Sequence, residues 1–204
     1  MLRALALAVS GCAIAAAQIN VLTANYGNDR SNANLQETVL TTANVTPFNF
    51  LKLGSFPVDG QIYAQPLYVR QVFLSGRGLY DVVYTVTQHN SVYAYDADSA
   101  AAPNLLWHVN LGPSVPAATF GASYTDITPE IGILSTPVID LQRGAIYLTA
   151  ATLEKGSVVY RLHALDLLTG AEKCNGPAVI SGSVKGTGVG GTTGGKIPFD
   201  PLWL

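Results

Sequence analysis

Charge is what this sequence has least of. Asp, Glu, Lys and Arg make up 12% of 204 residues, the formal net charge is −2, and no run of Lys or Arg occurs anywhere. A chain without a basic cluster has no electrostatic footprint for nucleic acid or anionic lipid, so neither is expected as a partner. Two cysteines, Cys12 and Cys174, leave little room for a disulfide framework. The three histidines, His89, His108 and His163, are too far apart for metal-ligand spacing. No apolar run reaches the ~20 residues a spanning helix needs, so no transmembrane segment is expected.

The longest apolar stretch opens the chain. Arg3 precedes an apolar Ala4 to Val9 segment, and Ala15-Ala16-Ala17 stands before Gln18 as a small-residue cleavage site. Residues 1–17 therefore read as a secretory signal peptide, which puts the mature chain outside the cell or in a periplasm. Val9-Ser10-Gly11-Cys12 offers the competing reading of a lipoprotein anchor at Cys12, which would leave an unusually short apolar region. With Cys12 removed, Cys174 has no partner, and a small buried hydrophobe is the ordinary role for such a thiol.

Hydrophobic residues are plentiful, at 49%, and Gly is frequent. They fall in short β-branched and aromatic runs bounded by turn residues, the pattern of an all-β protein. Residues 80–111 show it best: Val82 to Val86, a turn at His89-Asn90, Val92 to Asp96, a polar connection from Ala97 to Asn104, and Leu105 to Val109. Runs so closely spaced make an antiparallel meander. The pattern then recurs. Ser135-Thr136-Pro137-Val138-Ile139-Asp140 repeats Ala64-Gln65-Pro66-Leu67-Tyr68-Val69, residues 144–150 repeat 81–87, and residues 159–166 repeat 91–96. Two units of four strands about 70 residues apart amount to two propeller blades. A propeller closes with ~4–8 blades, so the fold expected is an incomplete β-propeller of four-stranded antiparallel blades. Its remaining blades would come from further sequence.

The expected layout follows from these units. Residues 18–64 form an irregular, Asn-rich N-terminal arm, with one helical turn around Gln36 to Leu40 and a strand within residues 48–58. Residues 65–112 form the first blade, 113–134 an inter-blade loop, and 135–180 the second blade. Residues 181–204 form a Gly-rich flexible loop and the approach to a further blade.

The units also carry a family mark. Ala164-Leu165-Asp166-Leu167-Leu168-Thr169-Gly170 resembles the Ala-x-Asp-x-x-Thr-Gly turn of quinoprotein dehydrogenase propeller repeats. Ala94-Tyr95-Asp96 followed by Trp107 and Gly112 is a looser copy, and Asn25 to Ser31 resembles the family's N-terminal segment. The resemblance is to bacterial PQQ-like β-propeller repeat proteins. It implies that Asp96, Asp166, Thr169 and Gly170 close turns between third and fourth strands, and that Trp107 docks one blade on the next. A buried Trp covers ~150–250 Å², an upper bound of about 4–6 kcal/mol of burial. Cys174 falls where the second unit's Trp would be and cannot supply that. The adjacent Cys-Cys pair of the family's enzymes is missing.

Chemistry is harder to find. Gly186-Thr187-Gly188-Val189-Gly190-Gly191 fits G-x-G-x-x-G, and Gly190 to Lys196 fits the start of a phosphate loop. Ile197 stands where Ser or Thr is required, however, and Pro198 forbids the following helix. Asp126 and Glu130 are the nearest paired carboxylates, suited to calcium or acid–base work, with Pro129 making a structural loop the simpler role. His89, at a hairpin tip, joins them as a binding-face candidate. No residue of the chain is expected to be catalytic. The function expected is a secreted or periplasmic binding or scaffold module for a protein or small-molecule ligand. The alternatives are the N-terminal part of a PQQ- and calcium-dependent dehydrogenase, and an outer-membrane assembly scaffold.

Overall fold

The computed structural model describes residues 19–188 and 192–202. The leader, the Cys12 reading, Val189, Gly190 and Gly191 of the glycine motifs, and Trp203 and Leu204 lie outside that range.

The described chain is all-β. Strands β1 (Leu67–Leu74), β2 (Gly78–Val86), β3 (Ser91–Asp96) and β4 (Leu105–Asn110) form one antiparallel sheet in sequence order. Two two-residue strands, β5 (Val115–Pro116) and β6 (Glu130–Ile131), pair within the connection that follows. Strands β7 (Val138–Asp140), β8 (Ala145–Glu154), β9 (Ser157–Asp166) and β10 (Ala178–Val179) form the second four-stranded sheet, again in sequence order. A hairpin of β11 (Ser183–Lys185) and β12 (Lys196–Pro198) completes the described residues.

Alternation of side chains decides which surfaces meet, because successive residues of a strand point to opposite sides. On the first sheet Val82, Tyr84, Val86, Val92 and Ala94 share a side and are buried. On the second, Ile146, Leu148, Ala150 and Leu165 do the same, and the two sets join in a single core. Strand β1 keeps Leu67, Val69, Val72 and Leu74 all buried only because a bulge between Val69 and Val72 restores the parity. Gln71 takes φ +51° there, and its N–H donates to Asp81 Oδ1 at 2.8 Å while Tyr68 Oη donates to Asp81 Oδ2 at 2.7 Å.

Hydrogen bonds join the sheets at several places. Leu167 O, just past β9, accepts from Tyr84 Oη at 3.1 Å and from Trp107 Nε1 at 3.1 Å. The Trp107 ring lies over Gly170, whose φ is +72°; a Cβ at that position would stand 2.7 Å from Trp107 Cε3. At the other end, Val21 exchanges backbone hydrogen bonds with Tyr68, and Leu22 O accepts from Ile139 N at 2.8 Å. Residues 21 and 22 thus tie β1 to β7.

Four expectations fail. Residues 48–58 form no strand: Phe48, Phe50, Leu51 and Leu53 are exposed, and the N–H groups of Asn49 and Phe50 turn back to Thr46 O. No edge is offered to them, and an apolar run without a partner strand stays unpaired. Gln36 to Leu40 is not helical, because Glu37 Oε1 takes the N–H groups of Val39 and Leu40 in a local side-chain turn. Residues 181–196 are not all loop, since Ser183–Lys185 pair with Lys196–Pro198. Cys174 is exposed instead of buried, in a turn at φ +57° beyond the end of β9.

Candidate functional site

A two-residue turn suffices between antiparallel strands, yet β2 and β3 are separated by four polar residues, Thr87, Gln88, His89 and Asn90. Their backbone closes locally: Thr87 N donates to Ser91 O at 3.0 Å, and Asn90 N to Thr87 O at 3.1 Å, with Asn90 at φ +59°. Asn tolerates that left-handed conformation better than most residues. Asn90 is fully buried and its Nδ2 reaches across to Ala151 O at 2.7 Å and Gly112 O at 3.3 Å, fastening the turn to β8 and to the exit from β4. Gly132 passes so close beneath that a Cβ there would collide with Gln88 O and the Asn90 side chain. Asn90 Oδ1 and Gln88 Oε1 are buried without a partner among the described residues.

Around this turn stand two carboxylates. Asp59, delivered by the arm, accepts from Thr87 Oγ1 at 2.8 Å and Ser91 Oγ at 2.5 Å. Burial works against its charge, but those two hydrogen bonds and the nearby His89 outweigh it and hold Asp59 below the usual carboxylate range. Glu130, on β6, takes His89 Nδ1 at 2.8 Å on one oxygen and Ser114 Oγ on the other. The hydrogen bond to Glu130 raises the His89 imidazole above its ordinary value, against a smaller opposing effect of burial. Half the His89 side chain is open to solvent, and its other ring nitrogen has no partner among the described residues. Asn110 Nδ2 donates to His89 O at 2.7 Å and fixes the backbone beneath it.

This arrangement orients an imidazole and keeps it protonated to higher pH. A protonated, half-exposed ring with one N–H directed outward can donate to an anionic or carbonyl group of a ligand. It is not a hydrolase triad. There the histidine stands between hydroxyl and carboxylate, whereas here Glu130 stands between Ser114 and His89, so the imidazole does not touch the hydroxyl. Among the described residues no group of three His, Cys, Asp or Glu converges as a metal site. Asp59 and Glu130 each spend both oxygens on protein donors.

The sequence candidates are dispersed. His89 and Glu130 meet; Asp126 joins neither and has no hydrogen-bond partner among the described residues. Asp96 caps the turn after β3, accepting from Asp98 N at 3.1 Å and Asn104 Nδ2 at 3.3 Å. Asp166 Oδ1 accepts from Leu168 N at 3.0 Å and from Thr169 N and Oγ1 at 3.1 Å, and Lys173 Nζ sits 3.0 Å from Oδ2. His108 is stacked on Tyr93 at 4.3 Å, and buried His163 is paired through Nδ1 with Glu172 at 2.8 Å. Asp59, Ser114 and Asn90 were not foreseen. The surplus of polar residues between β2 and β3 is the one signal that could have pointed to them.

Among the described residues no helix is long and apolar enough to cross a membrane. Compared with protein-family models, curated proteins and solved structures, the chain matches none.

Proposed function

We propose that the two sheets are successive blades of a PQQ-like β-propeller, and that the chain serves as a secreted or periplasmic binding or scaffold module. Its ligand-contacting group is His89, on the turn between β2 and β3. The observation that carries this reading is the cost of holding that turn: a buried Asn, a carboxylate saturated by two hydroxyls and a Glu–His pair all fix one exposed imidazole. Buried polar networks of this kind are retained where geometry matters. The ligand chemistry it suits is an anionic oxygen.

The dehydrogenase alternative needs a calcium-binding carboxylate set and a cysteine pair at the quinone. The described carboxylates near the turn are already satisfied, and Cys174 stands alone. In that alternative both would come from further sequence.

The test is a titration of the full chain with succinate and inorganic phosphate, followed by NMR at the His89 ring. The expected outcome is a saturable shift at His89 that disappears in His89→Gln. A His89 resonance unmoved by either anion overturns the binding site. Dye reduction on adding PQQ and calcium with alcohols or sugars overturns the non-catalytic reading.

A further inference from the structure

The internal repeat makes the two units comparable position by position, because strand register is the same in both. Leu67 pairs with Tyr84 as Val138 pairs with Tyr147, and Val86 with Val92 as Thr149 with Leu162. In the first unit this side of the sheet is sealed: Leu67, Tyr84, Val86 and Val92 are 1%, 2%, 1% and 0% exposed. What seals it is the core the two sheets share, with the Leu167 carbonyl and Gly170 of the second unit against Tyr84 and Trp107. In the second unit four of the equivalent positions are open, while Ala145 and Ala164, the counterparts of Val82 and Ala94, are buried. Val138 is 46% and Leu162 44% exposed, and Tyr147 and Thr149 are half-buried. The Tyr147 hydroxyl has no hydrogen bond among the described residues, although its counterpart Tyr84 has one.

A packing in which one side of a unit meets the opposite side of the next is heterologous, and it propagates until something closes it. We infer that the open side of the second sheet, formed by Val138, Tyr147, Thr149 and Leu162, receives a further four-stranded unit of the same repeat. That unit is recognised as the second is by the first. Tyr147 Oη donates to the main-chain carbonyl that follows its third strand, and its apolar side covers Val138 and Leu162. A second copy of this chain is the poorer occupant. The side of its first sheet that would have to be presented carries Tyr93 and Tyr95, and the arm is fastened there through Phe56, Pro57 and Asp59. The inference rests on the propeller reading above and specifies its next contact.

The experiment uses the full chain, with both native cysteines changed to Ser and a single probe, Leu162→Cys. It is compared with the same chain extended after Leu204 by a second copy of residues 135–180 with its own cysteine also changed. Maleimide labelling of the probe is expected to slow about tenfold or more in the extended chain, as burial demands local opening. Adding Tyr147→Phe should recover about fivefold of that rate, the worth of one hydrogen bond. A probe at Phe73→Cys, on the far edge of the first sheet, should label equally in both. If the appended copy gains protected amides while Leu162→Cys reacts at its original rate, the docking assignment alone is overturned. If the appended copy gains no protection, the propeller reading falls with it.

Discussion

The two sheets share an order, a register and a core, yet hold their last strands by different means. In the first, β4 runs six residues and carries Trp107, which reaches out of its own sheet to the second. In the second, β10 is two residues long, and the residue hydrogen-bonded to Ala164, the counterpart of Ala94, is Lys173. What the second sheet lacks at its edge it holds within β8 and β9, ten residues each, clasped across the hairpin by Arg161 and Glu154 at 2.6 and 2.8 Å. One topology can thus be secured between units or within a unit, and the residues that matter lie in different places.

The largest effect should come from breaking the contact between units. Trp107→Ala removes a ring packed on Tyr84 and Gly170 together with its hydrogen bond, and should cost about 3 kcal/mol in denaturant unfolding. Cys174→Ala, in the exposed turn between β9 and β10, should stay within about 0.5 kcal/mol. Similar losses from both would abolish the distinction.

Glycine sharpens the comparison from below. Gly170 and Gly144 both have positive φ, +72° and +56°. An added methyl meets the Trp107 ring at Gly170 and nothing within 4 Å at Gly144. Left-handed strain alone is worth about 1–2 kcal/mol. Gly144→Ala should lose about that much in chemical unfolding, and Gly170→Ala more, the excess vanishing in a Trp107→Ala background.

The smallest effect concerns the clasp inside the second sheet. Its hydrogen bonds with Arg161 and Thr152 draw Glu154 down to about 2, while an unfolded Glu titrates near 4.5. The clasp therefore stabilises fully above pH 4.5 and fades as pH falls towards 2. Both partners face solvent, so the contribution is small and screened by salt. Melting curves of Glu154→Gln should lose part of the acid-side decline in stability between pH 4.5 and 2, with little change at pH 7. An unchanged acid slope would show the pair to be idle.

How much of this was legible depended on how far apart the cooperating residues lie. Strands β2, β3, β4, β8 and β9 announce themselves because each is a β-branched or aromatic run ended by its own turn residues. The bulge in β1 does not, since Gln71 is held by Asp81 on the neighbouring strand. Asp59 looks like an ordinary loop acid until folding brings Thr87 and Ser91 to it. The same distance misled in the other direction at Phe48 to Leu53, where composition suggests a strand and no neighbour supplies an edge. At residues 183–185 glycine-rich surroundings concealed a strand whose partner, Lys196–Pro198, lies across the loop. His89 could be singled out from its place at a hairpin tip. Its attachment to Glu130 depends on a chain crossing that no local pattern encodes.

The tie made by Val21 and Leu22 bears on how the molecule is assembled. Leu22 precedes the first sheet in the chain, and its partner Ile139 follows only after that whole sheet. The first sheet can zip from its own hairpins while it waits, since its contacts are close in sequence. The segment at residues 21–22 can pair with Tyr68 at once, but its opposite edge stays bare until β7 arrives. A bare edge is where stray strands attach. The hazard of misassembly in this protein is therefore concentrated in the interval between completing β4 and presenting Ile139, and anything that lengthens that interval will fall on residues 21 and 22.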